Sequence, residues 1–508
     1  MKIYHKHIVL LLFYLLSVNG KLLGQWSKTF DLQMGNEFAG QVLMTGQGPL
    51  MLLKAFCNYN TQSCGGLVQT DLDGNLLWKK VIFYDTIHEN HFEAMAIRND
   101  TIFVNVNYDN NPPYLSVLAF DLEGNYLSRF DYGEPGGINS SYWARDMTTD
   151  GERLFVSYMY RKPGSGNKFM GKIEVYDPQW QLLWEAEMPR VYWNDIEATP
   201  DGGLVSIYSD CYDCKAIVRR HDPDGNLLWE TELPDPTEYD SGAGRWVSLA
   251  YYPDGGVVGF WPIDTFAIYL TSEPNMYFRL GPDGELLWTK LTLTQLERYL
   301  YDVFTTQNGD FVTCGLDLNL TGIITDSNFY YGGYVSRFDA NGELLWERRI
   351  FDIQKGFSDG YFLNGLELPD GDLILCGAMG DTLTEDPFPQ NAWLVRLDGN
   401  GCLWPDCGTN QFILDAGEPP GAPEVFGAYP SPFRERFLLG ALLGPAIPPG
   451  EYRLALYDAA GRLVLERAYD PRFVTEIDAG AAPPGFCTLV VLRDGLTVQA
   501  LRVVKMGE

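Results

Sequence analysis

One eight-residue pattern recurs along most of the chain and limits the folds that the chain can adopt. Its clearest copies are DLDGNLLW at 71–78, DPDGNLLW at 222–229, GPDGELLW at 281–288 and DANGELLW at 339–346. Weaker copies are DLEGNYLS at 121–128, DPQWQLLW at 177–184 and DGNGCLW at 398–404. Counted at the final residue and starting from Trp26, the copies follow one another at intervals of 45–59 residues. Seven such intervals, with strand-like composition, predict an all-β, seven-bladed β-propeller.

A second turn lies between successive copies of this pattern. It reads TTDGE at 148–152, TPDGG at 199–203, YPDGG at 252–256, TQNGD at 306–310 and LPDGD at 368–372. Asp-Gly and Asn-Gly between apolar runs predict two-residue hairpins, in which both turn residues adopt positive φ. Two turns per repeat give four antiparallel strands, a to d, which form one blade. The Trp then lies on the outermost strand, where its ring can cover the gap between blades.

The ends of the repeat region predict how the ring closes. Residues 25–32 read as an outer strand without inner strands before it, and the last inner strands, within 361–398, lack an outer one. We therefore predict a propeller over 25–408 whose last blade is completed by 25–32, because an open ring would expose a sheet edge.

Charge excludes one class of partner. The formal net charge is −30, and the mature chain has no block of lysine and arginine. Such a surface repels phosphate, so nucleic acid is not expected as a partner. The paired acids of DLDGNLLW look like the start of a Ca²⁺-binding loop, but the downstream Glu is absent. A structural turn is the favoured interpretation over a Ca²⁺ site, and no cofactor is predicted.

The N-terminus indicates export. Lys2 and Lys6 precede an apolar run from Ile8 to Val18, which is too short to span a bilayer. We interpret 1–24 as a secretory signal peptide and expect no transmembrane segment.

Export permits disulfides. Three close pairs predict local disulfides: Cys57 with Cys64, Cys211 with Cys214, and Cys402 with Cys407. Cys211 and Cys214 could instead form a redox or zinc half-site, but no second pair has zinc-finger spacing, so no metal site is predicted. Three further cysteines lie in apolar strand patterns and are expected to be buried free thiols: Cys314, Cys376 and Cys487.

Residues 409–424 are rich in Gly and Pro and predict a linker, and 425–508 alternate as strands of a small Ig-like antiparallel β-sandwich. Within this segment YPSPF occurs at 429–433, LYDAAGR at 456–462, PGF at 484–486 and VVK at 503–505. This order of motifs resembles the type A C-terminal sorting domain of the type IX secretion system, although that family usually has YPNPF and G-x-Y. The resemblance implies transport across the outer membrane of certain Gram-negative bacteria by the type IX machinery, to the cell surface or the medium. The matching sorting-motif residues are Tyr429, Pro430, Pro432, Gly461, Gly485 and Lys505.

Loop variety predicts where a ligand binds. In a four-stranded blade the a–b and c–d turns share one face, here called the turn face, and the b–c and d–a loops share the other, the loop face. The long irregular segments belong to the loop face, which is where recognition is expected. Candidate aromatic contacts are Tyr142, Tyr192, Tyr212, Tyr330 and Tyr331, with packing of the loops as the alternative.

One aromatic opens strand a of each blade: Phe38, Phe92, Trp143, Trp193, Trp246, Tyr301 and Phe362. We interpret these as a structural ring of core residues. Two positions later come Gly40, Ala94, Arg145, Asp195, Ser248, Val303 and Asn364, beside the expected channel. Arg145, Asp195 and Asn364 are candidate ligand contacts, with hydrogen bonding between blades as the alternative.

Catalytic signatures are scarce. The sequence has no GxSxG, P-loop or GxGxxG in a βαβ setting, and His88 and His91 lack the helical spacing of a zinc motif. The leading hypothesis is an exported binding module for a glycan or protein ligand. The alternatives are a surface polysaccharide hydrolase or lyase that uses acidic channel residues, and a structural or adhesion component.

Overall fold

The computed structural model describes residues 25–32, 36–58, 62–82, 90–108, 114–133, 142–161, 169–189, 191–210, 215–234, 247–262, 275–292, 298–317, 332–352, 360–380, 390–403, 410–413, 426–429, 436–441, 451–457, 462–470, 475–483, 485–493 and 496–505. Within these ranges every regular secondary-structure element is a β-strand, so the all-β prediction is confirmed. No helix within them is long and apolar enough to cross a membrane.

The first three blades are ordinary four-stranded antiparallel sheets. Blade 1 consists of β2 (Asn36–Thr45), β3 (Gly48–Asn58), β4 (Gln62–Thr70) and β5 (Leu76–Ile82). Blade 2 consists of β6 (Asn90–Arg98), β7 (Thr101–Tyr108), β8 (Tyr114–Asp121) and β9 (Tyr126–Tyr132). Blade 3 consists of β10 (Tyr142–Thr149), β11 (Leu154–Arg161), β12 (Phe169–Tyr176) and β13 (Leu182–Met188).

The next three blades repeat this order of strands. Blade 4 consists of β14 (Val191–Ala198), β15 (Leu204–Asp210), β16 (Lys215–His221) and β17 (Leu227–Glu232). Blade 5 consists of β18 (Ser248–Tyr251), β19 (Val257–Pro262), β20 (Asn275–Leu280) and β21 (Leu286–Thr292). Blade 6 consists of β22 (Arg298–Thr305), β23 (Phe311–Asp317), β24 (Gly332–Phe338) and β25 (Leu344–Asp352).

Blade 7 is built from both ends of the repeat region. Its inner strands are β26 (Gly360–Glu367), β27 (Leu373–Gly380) and β28 (Gln390–Leu397), and its outer strand is β1 (Trp26–Phe30). Trp26 pairs with Arg396 and Phe30 with Ala392 in an antiparallel ladder. The innermost strands contact one another in sequence around the ring, and β26 contacts β2. Seven antiparallel blades in a closed ring confirm the seven-bladed propeller.

The recurrent motif forms a turn whose first residue organises it. Asp71 Oδ1 accepts hydrogen bonds from the backbone N–H groups of Asp73 (2.9 Å) and Asn75 (2.8 Å). These bonds, and the one from the Asn75 side chain, lower the pKa of Asp71. Asp121, Asp222 and Asp339 make the same two backbone contacts in their own turns.

These turns are not the two-residue hairpins that the sequence predicted. In the motif only Gly74 has positive φ (74°), and the ladder shifts register between Gln69 and Thr70. This is a type I turn closed by a left-handed glycine, which produces a bulge and suits the strand twist. Among the described turns, Asn99 and Asp100 alone provide two successive residues of positive φ.

The motif also joins each blade to the next one. A Cβ on Gly74 would lie 2.8 Å from the ring of Trp26, so glycine is needed where the turn of blade 1 packs against the Trp of blade 7. Trp26 Nε1 donates to Leu72 O at 3.1 Å. The same packing of Trp on the next blade's turn glycine pairs Trp78 with Gly124, Trp184 with Gly225, Trp229 with Gly284, Trp288 with Gly342 and Trp346 with Gly401. The repeated letters therefore encode both a turn and a junction.

The C-terminal unit forms a separate sandwich, and β29 (Asn410–Ile413) precedes it. One sheet contains β30 (Phe426–Tyr429), β31 (Arg436–Ala441) and β34 (Thr475–Asp478). The other contains β33 (Leu463–Tyr469), β32 (Tyr452–Tyr457), β35 (Gly485–Arg493) and β36 (Leu496–Lys505) in that order. Leu439 and Ile477 of the first sheet share a core with Leu454 and Leu489 of the second, as expected for two packed faces.

The predicted free thiols and two of the predicted disulfide cysteines fall on described residues. Cys314, Cys376 and Cys487 are buried free thiols, as predicted. Cys64 and Cys402 are disulfide-bonded.

The remaining disulfide calls concern residues that the structure does not describe. Cys211 and Cys214 both lie outside the described residues, between the end of β15 and the start of β16. The structure therefore shows no disulfide between Cys211 and Cys214, and that bond stays a prediction. The side chain of Cys57 and the whole of Cys407 are likewise not described, so their pairings with Cys64 and Cys402 also stay predictions.

Candidate functional site

A belt of hydrogen bonds surrounds the central channel. At one level of the ring, a backbone N–H of an innermost strand donates to a side chain of the preceding blade. The donor and acceptor pairs are Val42 N to Asn364 Oδ1 (2.9 Å), Met95 N to Gln41 Oε1 (2.5 Å), Ile196 N to Asp146 Oδ2 (3.0 Å), Leu249 N to Asp195 Oδ2 (2.8 Å), Val303 N to Ser248 Oγ (3.3 Å) and Gly365 N to Asp302 Oδ2 (2.9 Å). Capping by side chains satisfies amides that a sheet edge would otherwise leave unpaired.

The junction between blades 2 and 3 differs, because Ala94 occupies the acceptor position of blade 2. Ala94 has no acceptor for the N–H of Met147 in blade 3. Asp146 provides one instead: its Oδ1 accepts from Met147 N (2.7 Å) while its Oδ2 accepts from Ile196 N (3.0 Å). One carboxyl thus serves two blades.

Three members of this belt were missed by counting from the aromatic residues. The acceptors are Gln41, Asp146 and Asp302, where the sequence alignment had placed the neighbours Gly40, Arg145 and Val303. The register shifts between Ala39 and Gln41, between Ala144 and Asp146 and between Leu300 and Asp302. Each shift is a β-bulge, and blades 2 and 7 have the same bulge directly after Phe92 and Phe362. In blades 1, 3 and 6 the aromatic residue used for counting lies at a different position relative to the bulge, so the count misses the acceptor there.

The same bulges affect the predicted aromatic ring. Phe92 and Phe362 are fully buried in the core. Phe38, Trp143 and Tyr301 are only half-buried, because Ala39, Ala144 and Leu300 hold the corresponding position before the bulge. The prediction that the aromatic residue of strand a is a core residue in every blade is therefore wrong for blades 1, 3 and 6. Trp246, and the side chain of Trp193, lie outside what the structure describes.

Four carboxyls approach the channel from blades 3, 4 and 6: Asp146, Asp195, Glu197 and Asp302. Desolvation, the nearby Asp146 charge and a hydrogen bond with Asp146 raise the pKa of Asp195 well above its usual value. Desolvation raises the pKa of Glu197 to about 7 and that of Asp302 to about 7. Glu197 also accepts a hydrogen bond from Tyr251 N of blade 5.

The candidate ligand contacts occupy different environments. Asp195 and Asn364 belong to the belt, and Arg145 is the half-buried bulge residue beside it. Tyr142 is 8% exposed and stacks on Tyr160, with ring centroids 6.2 Å apart. Tyr192 lies in β14, but its side chain is not described. Tyr212, Tyr330 and Tyr331 lie outside the described residues, so the structure does not bring these candidates together.

A cleft opens on the turn face between blades 6 and 7, with a volume of about 590 Å³. The a–b turns contribute Gln307, Asn308 and Asp370, and the outer strand of blade 6 contributes Leu345 and Trp346. Arg337 forms the floor: its Nε donates to Asp310 Oδ2 (2.9 Å) and its Nη1 to Gly399 O (2.9 Å). The sequence predicted recognition on the loop face, so this cleft on the turn face was not expected.

The structure describes only some of the residues that were considered for metal binding or that belong to the predicted sorting motifs. Within the described ranges, no group of three or more His, Cys, Asp or Glu residues could hold a metal ion. Gly485 and Lys505 pair across β35 and β36, and Tyr429 ends β30. Pro430, Pro432 and Gly461, like His88, lie outside the described part of the chain.

No protein-family model matches this sequence, and no curated protein matches it. Solved structures similar to it include the Dos1 propeller (11% identity, TM-score 0.41, covering 77% of this chain and 97% of that one). Another is the Pyrococcus horikoshii acylaminoacyl peptidase (13% identity, TM-score 0.41, covering 80% and 58%). A third is a polysaccharide lyase of the PL25 family, an ulvan lyase with bound saccharide (11% identity, TM-score 0.38, covering 69% and 89%). At these scores the likeness carries no argument about ligand or reaction.

Proposed function

We propose that this protein is a binding module of the cell exterior, which holds a glycan or protein ligand on the rigid frame of its propeller. The observation that supports binding over catalysis is the engagement of the channel carboxyls. Asp146, Asp195, Glu197 and Asp302 each accept a hydrogen bond from a backbone amide. A hydrogen bond with Asp146 also contributes to the raised pKa of Asp195, so this carboxyl has a second partner within the protein.

Delivery to the exterior is assigned to the C-terminal sandwich acting as a type IX sorting domain. The ordered motifs at 429–433, 456–462, 484–486 and 503–505 support this assignment. Deleting 425–508 is expected to leave a folded propeller in the periplasm of a type IX-competent host. Normal amounts of the truncated protein at the cell surface would contradict the assignment.

A surface polysaccharide hydrolase or lyase is the second candidate. It is favoured by Glu197 and Asp302, whose pKa values of about 7 suit proton transfer near neutral pH. The deciding experiment is a glycan array probed with purified protein, followed by analysis of each bound saccharide for cleavage. Binding without products supports the binding module. Products that disappear in Glu197→Gln or Asp302→Asn would establish the enzyme instead.

A further inference from the structure

We infer that the cleft between blades 6 and 7 is a binding site for a neutral saccharide; this inference rests on the proposed binding function and names its site and ligand class. Gly399, which lines the cleft, distinguishes blade 7 from the other blades. It is the second residue of the c–d turn of blade 7, and the equivalent residues in the other blades all carry side chains: Leu72, Leu122, Pro178, Pro223, Pro282 and Ala340.

Blade 5 shows what that side chain normally occupies. A Cβ built on Gly255, in the a–b turn of blade 5, would lie 3.5 Å from the ring of Pro282. In blade 7 a Cβ on Gly399 would instead meet Gly371 O at 2.9 Å. The a–b and c–d turns of blade 7 thus approach each other through glycine, and the second turn position of this blade contributes no side chain to the wall of the cleft.

The charges that line the cleft are paired with one another, which favours a neutral ligand. Asp310 lies 2.9 Å from Arg337, Asp370 lies 2.7 Å from Arg396, and Glu367 lies 3.8 Å from Arg337. A charged ligand would have to displace one of these partners and leave the other without a counter-ion, which is costly in a partly buried site. A neutral ligand leaves every pair intact.

The remaining lining combines an apolar wall with amides, the combination that a sugar ring requires. Leu345 is 52% exposed and lies beside Trp346, while Pro369 is exposed on the opposite turn. Gln307 and Asn400 are exposed at the mouth, and the Gln307 amide uses one donor on Leu368 O (3.0 Å). Because a side-chain amide has two donors and an acceptor, it can serve hydroxyl groups that both donate and accept. The volume falls within the roughly 300–1,000 Å³ typical of small-molecule sites.

The test uses two matched substitutions in the full mature protein. Leu345→Asp places a charge on the cleft wall. Leu287→Asp places the same charge at the equivalent position of blade 5, where the leucine is also 52% exposed. Both variants are compared with the wild type on an array of neutral, uronate and sulfated oligosaccharides, and then by titration with the best neutral hit. A third variant, Asn400→Ala, removes one exposed amide from the mouth of the cleft.

Neutral oligosaccharides are expected to bind the wild type, with affinity reduced roughly tenfold or more in Leu345→Asp and in Asn400→Ala. Leu287→Asp should bind like the wild type, and thermal melting confirms that all variants are folded. Unchanged binding in both cleft variants would overturn the site while leaving the binding function intact. Hits confined to uronate or sulfated saccharides, or to proteins, would overturn the ligand class. A wild type that binds no saccharide and no protein would overturn the proposed function itself.

Discussion

The indole of Trp180 stacks on the ring of Phe130 across the junction of blades 2 and 3, with centroids 4.2 Å apart and planes 15° apart. Trp180 stands where every other c–d turn has glycine, and its φ of 61° is that of the glycines it replaces. Ser128 stands where every other outer strand has Trp. The junction between blades 2 and 3 is therefore filled by an aromatic ring from the c–d turn of blade 3 instead of one from the outer strand of blade 2.

This exchange predicts a compensating pair of substitutions. Trp180→Gly should reduce the free energy of unfolding by about 3 kcal/mol, because a large buried contact is lost. Adding Ser128→Trp to that variant should recover most of the loss, since it recreates the Trp–Gly packing of the other junctions. Ser128→Trp alone should destabilise, because Trp180 already fills the space. Urea unfolding of the four proteins measures the coupling, and simple additivity of the two changes would contradict the exchange.

Closure by the N-terminal strand makes residues 26–30 important for stability. Trp393 Nε1 donates to Ser27 Oγ (2.8 Å), and Arg396 Nη1 and Trp26 Nε1 both donate to Leu72 O. Deleting 26–30 should therefore lower the melting temperature by many degrees. A permuted chain, in which 25–32 follow residue 403, should melt close to the intact protein. An unchanged melting temperature after the deletion would show that the strand does not hold the ring closed.

Stability should fall as the pH rises through neutrality. Desolvation raises the pKa of Glu197 from 4.5 to about 7 and that of Asp302 from 3.8 to about 7. The folded state binds these protons more tightly than the unfolded state, so the contribution is complete below pH ~4 and is lost as pH rises past ~7. Each group contributes on the order of 3–4 kcal/mol to this change.

Melting temperatures measured from pH 5 to 8.5 test this dependence. Glu197→Gln and Asp302→Asn should each flatten the decline relative to the wild type, because the amides do not titrate. Comparing variant with wild type removes the opposite contribution of turn carboxyls such as Asp71, whose pKa is lowered. Curves that run parallel for all three proteins would exclude these two groups as its source.

Thiol counting tests the three predicted disulfide pairings together, including the bond between Cys211 and Cys214. Cys314, Cys376 and Cys487 are buried, and burial raises the pKa of Cys314 and of Cys376 well above the usual value. We expect almost no reaction with a thiol reagent in the native protein and three reactive thiols after denaturation without reductant. Five thiols or more would mean that at least one of the predicted disulfides does not form.

The repeat made the fold predictable because DLDGNLLW and its relatives constrain the chain in two ways at once. Asp71 accepts hydrogen bonds that shape the turn, and Gly74 leaves room for the Trp ring of the preceding blade. A substitution at either position would therefore weaken the contact between two blades. Bulges are harder to read. Asp146 and Asp302 were missed because the position of the bulge relative to the aromatic residue differs between blades and has no signature in the sequence.

The cleft could not be anticipated for a different reason. Its lining residues come from separate parts of the chain, and one of them, Gly399, lies within the copy of the motif that looked weakest. Gly399 approaches Gly371 and lines the same cleft as Leu345, and neither of these residues is near it in the sequence. The sequence does show that the second residue of the c–d turn is glycine in blade 7, where the other blades have leucine, proline or alanine.

The pairing of β1 with β28 determines the order in which the molecule can finish folding. Ser27 meets Trp393, which is 366 residues later, so a strand that is synthesised early must wait for one synthesised late. Until then blade 7 has three strands, and its exposed edge is one to which a strand of another chain can add. The long wait itself adds little to the equilibrium, since each doubling of a loop costs about 0.6 kcal/mol. The molecule is therefore most vulnerable to misassembly just before its two distant segments meet, and it becomes safe from that hazard in a single late step.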